Sequence, residues 1–309
     1  ETLARLDAAL ADRPAALLAV TGPANVTGEL LPLAEVVALA HRHGARTFVD
    51  AAQLAPHRAV DIAGLGIDYL ALSGHKLYAP YGAGVLVGRG AVQNVTAQAV
   101  TWSDVARRHE AGTPNLAGAV ALATALDVIS GLVDEDGIDA REEHERALRD
   151  RLLAGLADLD GVRVLSIWED APDAIGVVAF AVAGHAPGLV AAYLSAEHGI
   201  GLRAGRFCAH PLLARFDLPE GALRASFGLG SRADDVDRLV AGLAQLRARG
   251  RRLGAARRHP RPHRVARAGC IVAGVRPRLR RRRLGRSGLS YAGWARPAAG
   301  PGRSGFPAT

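Results

Sequence analysis

Methionine is missing from all 309 residues, lysine occurs once, and cysteine occurs twice. Each scarcity excludes something. Without methionine, Glu1 is not a natural start, and a truncated N-terminus is expected. No stretch reaches the ~18 to 20 apolar residues that a membrane-spanning helix needs, so no membrane partner is expected. Asp7, Asp12 and Arg13 interrupt the apolar positions of the first segment, unlike a signal peptide. Two cysteines, Cys208 and Cys270, cannot build a disulfide framework, and the expected compartment is a reducing cytoplasm. The N-x-T triplets at Asn25 and Asn94 then carry no glycosylation meaning. H-E-x-x-H, C-x-x-C and G-x-S-x-G are all absent, and Gly82-x-Gly84 lacks the third glycine of a dinucleotide fingerprint. His41 and His43 lie two apart on a predicted helix, point to different faces, and are expected to be solvated rather than metal ligands. Trp102 and Trp168 read as packing residues.

Acidic residues are missing from one region only. Residues 251 to 309 hold 16 arginines and no aspartate, glutamate or lysine. With 16 of the 38 basic residues there, the first 250 residues carry 22 basic and 30 acidic side chains, a net of −8. The +8 of the whole chain therefore belongs to the tail, and the body is acidic. A basic tail can bind nucleic acid electrostatically. The same composition of Arg, Ala, Gly and Pro also arises from GC-rich DNA read out of frame. The complete lack of acid over 59 positions favours the second reading, and disorder is expected under either. Nucleic acid is therefore not the expected partner.

What is present in residues 1 to 250 is an alternation of short apolar runs with amphipathic stretches, the pattern of an α/β protein. Strands are predicted at Ala16–Val20, Thr47–Val49, Tyr69–Leu72, Gly84–Val87, Val162–Leu165, Gly176–Val182 and Leu223–Phe227. Helices are predicted at Thr2–Ala11, Leu33–His43, Leu116–Ile129, Arg141–Leu159, Pro187–His198 and Ala233–Arg247. Gly44 reads as a helix C-cap, and Ser231 as the N-terminal start of the last helix. The expected domains are 1–130, a partial large domain, and 131–250, a smaller α+β domain, followed by the Arg-rich tail.

The single lysine, Lys76, stands in SGHKLYAPYGAGVL, directly after the apolar strand YLAL. Most lysines are solvated surface charges. Here glycines at 82 and 84 let the backbone turn sharply and approach a ligand. Asp50 ends another apolar strand, in TFVDAAQ, 26 residues earlier. Ligands of open α/β sheets sit outside the carboxyl ends of the strands, so Asp50 and Lys76 would face one crevice. A lysine and an aspartate have a well-known joint use with pyridoxal phosphate: a Schiff base on the amine, and a carboxylate on the pyridine nitrogen.

DAAQ followed by SGHKLYAPYGAGVL resembles the cofactor site of the class V aminotransferase family, in its cysteine desulfurase and selenocysteine lyase branch. Further matches occur in order: ANVTG at 24–28, HEAGTPN at 109–115, RAGRFCAHPLL at 203–213 and RASFGL at 224–229. The resemblance implies a pyridoxal phosphate enzyme of fold type I, with a mostly parallel large-domain sheet and a smaller C-terminal domain. It implies that Lys76 carries the cofactor and shuttles the Cα proton, Asp50 pairs with the pyridine nitrogen, and Gln53 bonds the ring hydroxyl. Ser73 and His75 would hold the phosphate. Asn25 would approach the cofactor or substrate, and Thr113 would reach the phosphate of the partner subunit in a homodimer. Arg224, assisted by Arg203, would bind the substrate carboxylate, work suited to a planar guanidinium.

Cys208 decides the branch. A free cysteine is usually a small buried hydrophobe. In the resembling desulfurases the nucleophilic cysteine stands at this place, takes sulfur from L-cysteine as a persulfide, and releases L-alanine toward a sulfur-acceptor protein. Arg206 and His210 are expected to favour its thiolate. Where those desulfurases carry a histidine pair before the cysteine, this chain has Arg206 and Phe207. The alternatives are another class V enzyme, a transaminase or lyase, and a non-catalytic nucleic-acid-binding protein acting through the tail. The resemblance begins inside the family's large domain, and the 88–104 stretch is short. A weakly active or inactive fragment is therefore expected.

Overall fold

The computed structural model describes residues 1–88, 113–134, 139–169 and 173–254. The basic tail from 255 onward, Trp102, Cys270, the 89–104 stretch and residues 109–112 lie outside the described residues. The described part forms two four-stranded sheets with helices. No helix among the described residues is long and apolar enough to cross a membrane.

The first sheet contains β1 (Leu17–Thr21), β2 (Arg46–Asp50), β3 (Tyr69–Ser73) and β4 (Gly84–Gly88), in that spatial order. The first three strands are parallel, and β4 returns antiparallel to β3. Before β1 runs α1 (Thr2–Asp12), and between β1 and β2 runs α2 (Leu33–Arg42). Leu33, Val36, Val37 and Ala40 of α2 are buried, one apolar face at helical spacing. Leu33 and Val37 pack on Val49, Leu54, Ile67 and Leu70. Gly44 follows α2 with φ +74, as its C-cap reading requires.

Two helices, α3 (Leu116–Ser130) and α4 (Ala140–Ala157), lead to the second sheet. That sheet holds β5 (Val162–Val164), β6 (Val177–Val182), β7 (Arg203–Gly205) and β8 (Ala222–Ser226), in the order β5-β6-β8-β7, all antiparallel. Together with α5 (Pro187–His198), α6 (His210–Arg215) and α7 (Ala233–Gly254), these elements complete the described chain. Leu148, Leu152 and Leu156 of α4 recur every four residues and pack with Leu194 of α5 and Leu239 and Leu243 of α7 around Phe180 of β6. Burying six such side chains is the main force that holds the helices to this sheet.

Every predicted strand and helix is present within two residues of its predicted bounds, except that the last helix runs past Arg247 to Gly254, into the first residues of the stretch expected to be disordered. β7 and α6 were not predicted; at three and six residues they are too short to show a period. The last helix begins at Ala233, as predicted, but Ser231 does not cap it. The Ser231 hydroxyl instead accepts from the Gly228 amide at 3.1 Å, and the Asp235 carboxylate takes the Arg232 amide at 3.0 Å. His41 and His43 are not simply solvated. Each donates a ring N–H to a carboxylate, His41 to Asp68 at 2.8 Å and His43 to Asp7 at 2.7 Å.

A buried charged group joins α4 to the loop after β2. Arg141, 2% exposed, forms a two-point pair with Asp139, and its other nitrogen donates to the Ala55 and Pro56 carbonyls. Burial alone would raise the Asp139 carboxyl. Arg141, with the amides of Arg141 and Ala59, outweighs it and holds this carboxyl below its usual range. Removing one partner of a buried pair strands the other, so Arg141→Ala is expected to cost about 3 to 5 kcal/mol in urea unfolding at neutral pH. A carboxyl with a depressed folded pKa gives stability that is present above its unfolded value and lost as pH falls through the folded one. The gap between wild type and Asp139→Asn should therefore close below about pH 4. An Arg141→Ala variant within 1 kcal/mol of wild type, on the order of a surface change, would contradict the pairing.

Candidate functional site

Three neighbouring parallel strands end side by side, and each delivers a predicted residue. The register aligns Thr21 with Asp50 and Asp50 with Ala71, so Asn25, Asp50 and Ser73 through Lys76 follow one sheet edge. This juxtaposition is a consequence of parallel pairing, which brings successive carboxyl ends together. Asp50 is exposed there, with its Oδ1 accepting the Ala52 amide at 2.9 Å. Gln53 follows, half-buried.

Lys76 closes a short 3-10 turn, Gly74–Lys76. The next residue, Leu77, is fully buried against Leu122 and Ile129 of α3, which fixes where the lysine leaves the sheet. Gly74 is packed so closely that a Cβ would lie 2.9 Å from the Ala83 carbonyl oxygen. Gly82 turns the chain with φ +90, as the sequence predicts. Burial holds the Lys76 ammonium below the ordinary lysine range; Asp50 draws it back up, and Arg224 pushes it down again. A larger share of neutral, nucleophilic amine follows.

The Ser73 hydroxyl and His75 Nδ1 are 2.9 Å apart, and the His75 ring stacks on Tyr81 with centroids 4.9 Å apart. Thr113 is exposed just before α3, whose N-cap Asn115 donates to the Gly82 carbonyl at 3.1 Å. Thr113 thus precedes by two residues the contact that α3 makes with the loop after Lys76. The hydroxyl, imidazole, amine and carboxylate along this edge are the donor set that a phosphorylated pyridine aldehyde requires.

The second sheet approaches the same edge. Arg224 on β8 donates to the Asn25 backbone carbonyl at 2.7 Å, and its guanidinium lies 5.5 Å from the Phe207 ring centre. The Asn25 side chain donates in turn to the Phe207 carbonyl at 3.1 Å. Arg203 on β7 is opposite Arg224 in the strand register. Cys208 follows Phe207 and is exposed, so it is not a core hydrophobe. Both residues adopt positive φ, 52 and 57, inside a turn closed by the Ala209 amide on the Arg206 carbonyl at 2.8 Å. A bulky residue seldom adopts such a backbone unless its surroundings impose it. Here Phe207 is 4% exposed and packs on Val26 and Leu213, so burial of the ring holds the thiol outward.

One expectation is corrected. Arg206 does not serve Cys208: its Nε donates to the Pro219 carbonyl at 2.6 Å and its guanidinium pairs with Glu220. His210 is exposed at the first residue of α6. Two residues of the site were missed. Tyr78, with φ 65, accepts the Leu229 amide at 3.2 Å and ties the lysine loop to the segment after β8. Tyr81 stacks on His75. Neither has a local signature, because both act through contacts with the fold.

Comparison with known proteins fits this geometry. The family Aminotransferase class-V matches residues 2–239. The chain belongs to the class V aminotransferase family. A cysteine desulfurase of Dickeya dadantii (strain 3937) is 40% identical over 253 residues, covering 77% of this chain and 59% of that protein. One from Klebsiella pneumoniae (strain 342) is 38% identical over 245 residues, covering 74% and 58%. Among solved structures, the cysteine desulfurase CsdA of Escherichia coli aligns with a TM-score of 0.64 at 33% identity, over 78% of this chain and 62% of that one. The apo cysteine desulfurase of Thermococcus onnurineus NA1 aligns with a TM-score of 0.67 at 30% identity, over 79% and 62%. The chain thus spans about three fifths of the length of these family members.

The opposing influences on Lys76 give a pH prediction. Because lysine occurs nowhere else, its acylation rate can be read from one peptide by mass spectrometry. That rate should rise with pH as the ammonium loses its proton. Asp50 raises the lysine pKa, so Asp50→Asn should move the rise to lower pH. Arg224 lowers it, so Arg224→Gln should move the rise to higher pH. Shifts of the reverse sign would show that the three groups do not share one site.

Proposed function

We propose that the chain carries the site of a pyridoxal phosphate-dependent cysteine desulfurase, which takes sulfur from L-cysteine and releases L-alanine. The observation that carries this reading is a half-buried lysine, depressed in pKa by burial, sharing one electrostatic site with Asp50 and Arg224. The family and the desulfurase relatives support it. Pyridoxal phosphate, when bound, supplies an aldehyde carbon and an electron sink.

In this reading Lys76 holds the cofactor through Nζ and then moves the substrate Cα proton. Asp50 keeps the pyridine nitrogen protonated, Gln53 bonds the ring hydroxyl, and Ser73 and His75 bond the phosphate. Arg224, with Arg203 beside it, grips the substrate carboxylate, and Asn25 lines the space between. Cys208 Sγ then takes the substrate sulfur: an S–S bond forms as the substrate C–S bond breaks. Alanine leaves, and the persulfide passes to an acceptor protein. A reducing compartment suits an exposed thiol that must stay free.

A homodimer completes the reading, with Thr113 reaching the phosphate of the partner's site. Its support is an apolar stripe on α3, the helix that Thr113 precedes: Leu116, Val120 and Val128 are 72%, 67% and 63% exposed. Such a patch favours burial against a second copy.

The test is incubation of the chain with pyridoxal phosphate, L-cysteine and a thiol reductant. Alanine and sulfide are expected in equal amounts but at a low rate, since the chain spans about three fifths of its relatives' length. A keto acid, or pyruvate with ammonia, in place of alanine would move the chain to the transaminase or lyase alternative.

A further inference from the structure

The segment that carries the cofactor-facing carboxylate is clamped at its far end by buried charge. After β2, the Leu54 and Ala55 amides donate to the Ala51 carbonyl, and the His57 and Arg58 amides donate to the Leu54 carbonyl. Asp50 starts this turn and Gln53 lies within it. Four residues beyond Gln53, His57 Nδ1 lies 2.9 and 2.8 Å from the two carboxylate oxygens of Glu145 on α4. With a carboxylate as acceptor, Nδ1 carries the hydrogen. His57 and Glu145 are 8% and 2% exposed.

Glu145 faces the second sheet as well. Its Oε2 accepts the Gly176 amide at 3.3 Å, at the entry to β6. A Cβ on residue 176 would lie 2.9 Å from that oxygen, so only glycine admits the carboxylate so closely. Gly176 O in turn accepts the Phe227 amide at 2.7 Å, just past the strand bearing Arg224. Arg58, 7% exposed, braces the same point: it pairs with Glu142 and Asp173 and donates to the Ala174 carbonyl. One carboxylate therefore holds both the turn that carries Asp50 and Gln53 and the sheet that carries Arg224.

We propose that His57 and Glu145 are positioning residues, fixing the Ala51–Arg58 turn against the second sheet so that Asp50 and Gln53 meet the cofactor ring in register with Arg224. This rests on the reading of Asp50 and Gln53 as partners of the ring. The pair lies outside the binding set and acts through the turn.

The test is peptide-resolved amide hydrogen exchange on the full chain without added cofactor, for wild type, His57→Ala and His57→Asn. Asparagine places an amide N–H where imidazole Nδ1 stands, so it restores the bond that alanine removes. Peptides over 51–59 should exchange about tenfold to a hundredfold faster in His57→Ala, the range for one lost charge-assisted hydrogen bond. β6 and β8 should keep their wild-type rates, and His57→Asn should return the turn toward wild type. Titration with pyridoxal phosphate should show a comparable loss of affinity in His57→Ala and recovery in His57→Asn. Unchanged exchange over 51–59, or equal acceleration across the second sheet, overturns the proposal. Faster exchange with unchanged cofactor affinity also overturns it. If wild type takes up no pyridoxal phosphate, the cofactor reading fails, while exchange still decides whether the pair fixes the turn. Should His57→Ala be insoluble, His57→Leu, which fills the space but has no N–H to donate, enters the same comparison with the same expectation.

Discussion

Cys208→Ser should stop sulfide release from L-cysteine, a loss of about a thousandfold or more, the scale on which covalent catalysts lose turnover with their nucleophile. A serine hydroxyl neither ionises near neutrality nor forms the sulfur–sulfur bond that the thiol forms. Fixation of the cofactor on Lys76 should be untouched, because Cys208 belongs to a turn on the second sheet's side of the site. Binding and chemistry would then separate in one variant. The peptide carrying Cys208 should also be heavier by one sulfur atom after a single turnover, and only in wild type. Wild-type turnover in the serine variant would end the desulfurase reading and raise the transaminase or lyase in its place.

The second large effect concerns the single lysine. Borohydride treatment of the chain with pyridoxal phosphate should fix the cofactor on the peptide containing Lys76, and Lys76→Arg should abolish that labelling altogether. Arginine keeps the positive charge but stays protonated, so it cannot act as the nucleophilic amine. The contrast is unusually clean because there is no second lysine to take over, and peptide mapping separates the Glu1 α-amine. Labelling that persists in the variant, or falls on another peptide in wild type, would remove Lys76 from the site. An intact fold in Lys76→Arg is expected, since Leu77, not Lys76, packs into the core at this turn.

Much of the first sheet was legible because its strands are short apolar runs, and α2 between β1 and β2 has a clear 3.6-residue period. Leu33, Val36, Val37 and Ala40 form one such face, and Gly44 closes it. The elements that escaped, β7 and α6, are too short for any period to show. The cap of α7 was misread for a different reason. Ser231 has the chemistry of a cap, but its hydroxyl is taken by Gly228, and Asp235 caps instead.

The sequence by itself determined the α/β class, the place of Lys76 after an apolar strand, and its position on one sheet edge with Asp50. Parallel strands bring their carboxyl ends to one edge, so pairing β2 with β3 in parallel already implies that meeting. Only the tertiary structure decided which way Arg206 turns, why Cys208 points outward, and what braces Asp50. Arg206 is captured by Pro219 and Glu220; the thiol is turned outward by burial of Phe207; the brace is His57 on Glu145, 88 residues away. A buried ion pair or a left-handed backbone is stabilised by whatever packs around it, and residues so distant in the chain leave no periodic trace of having met.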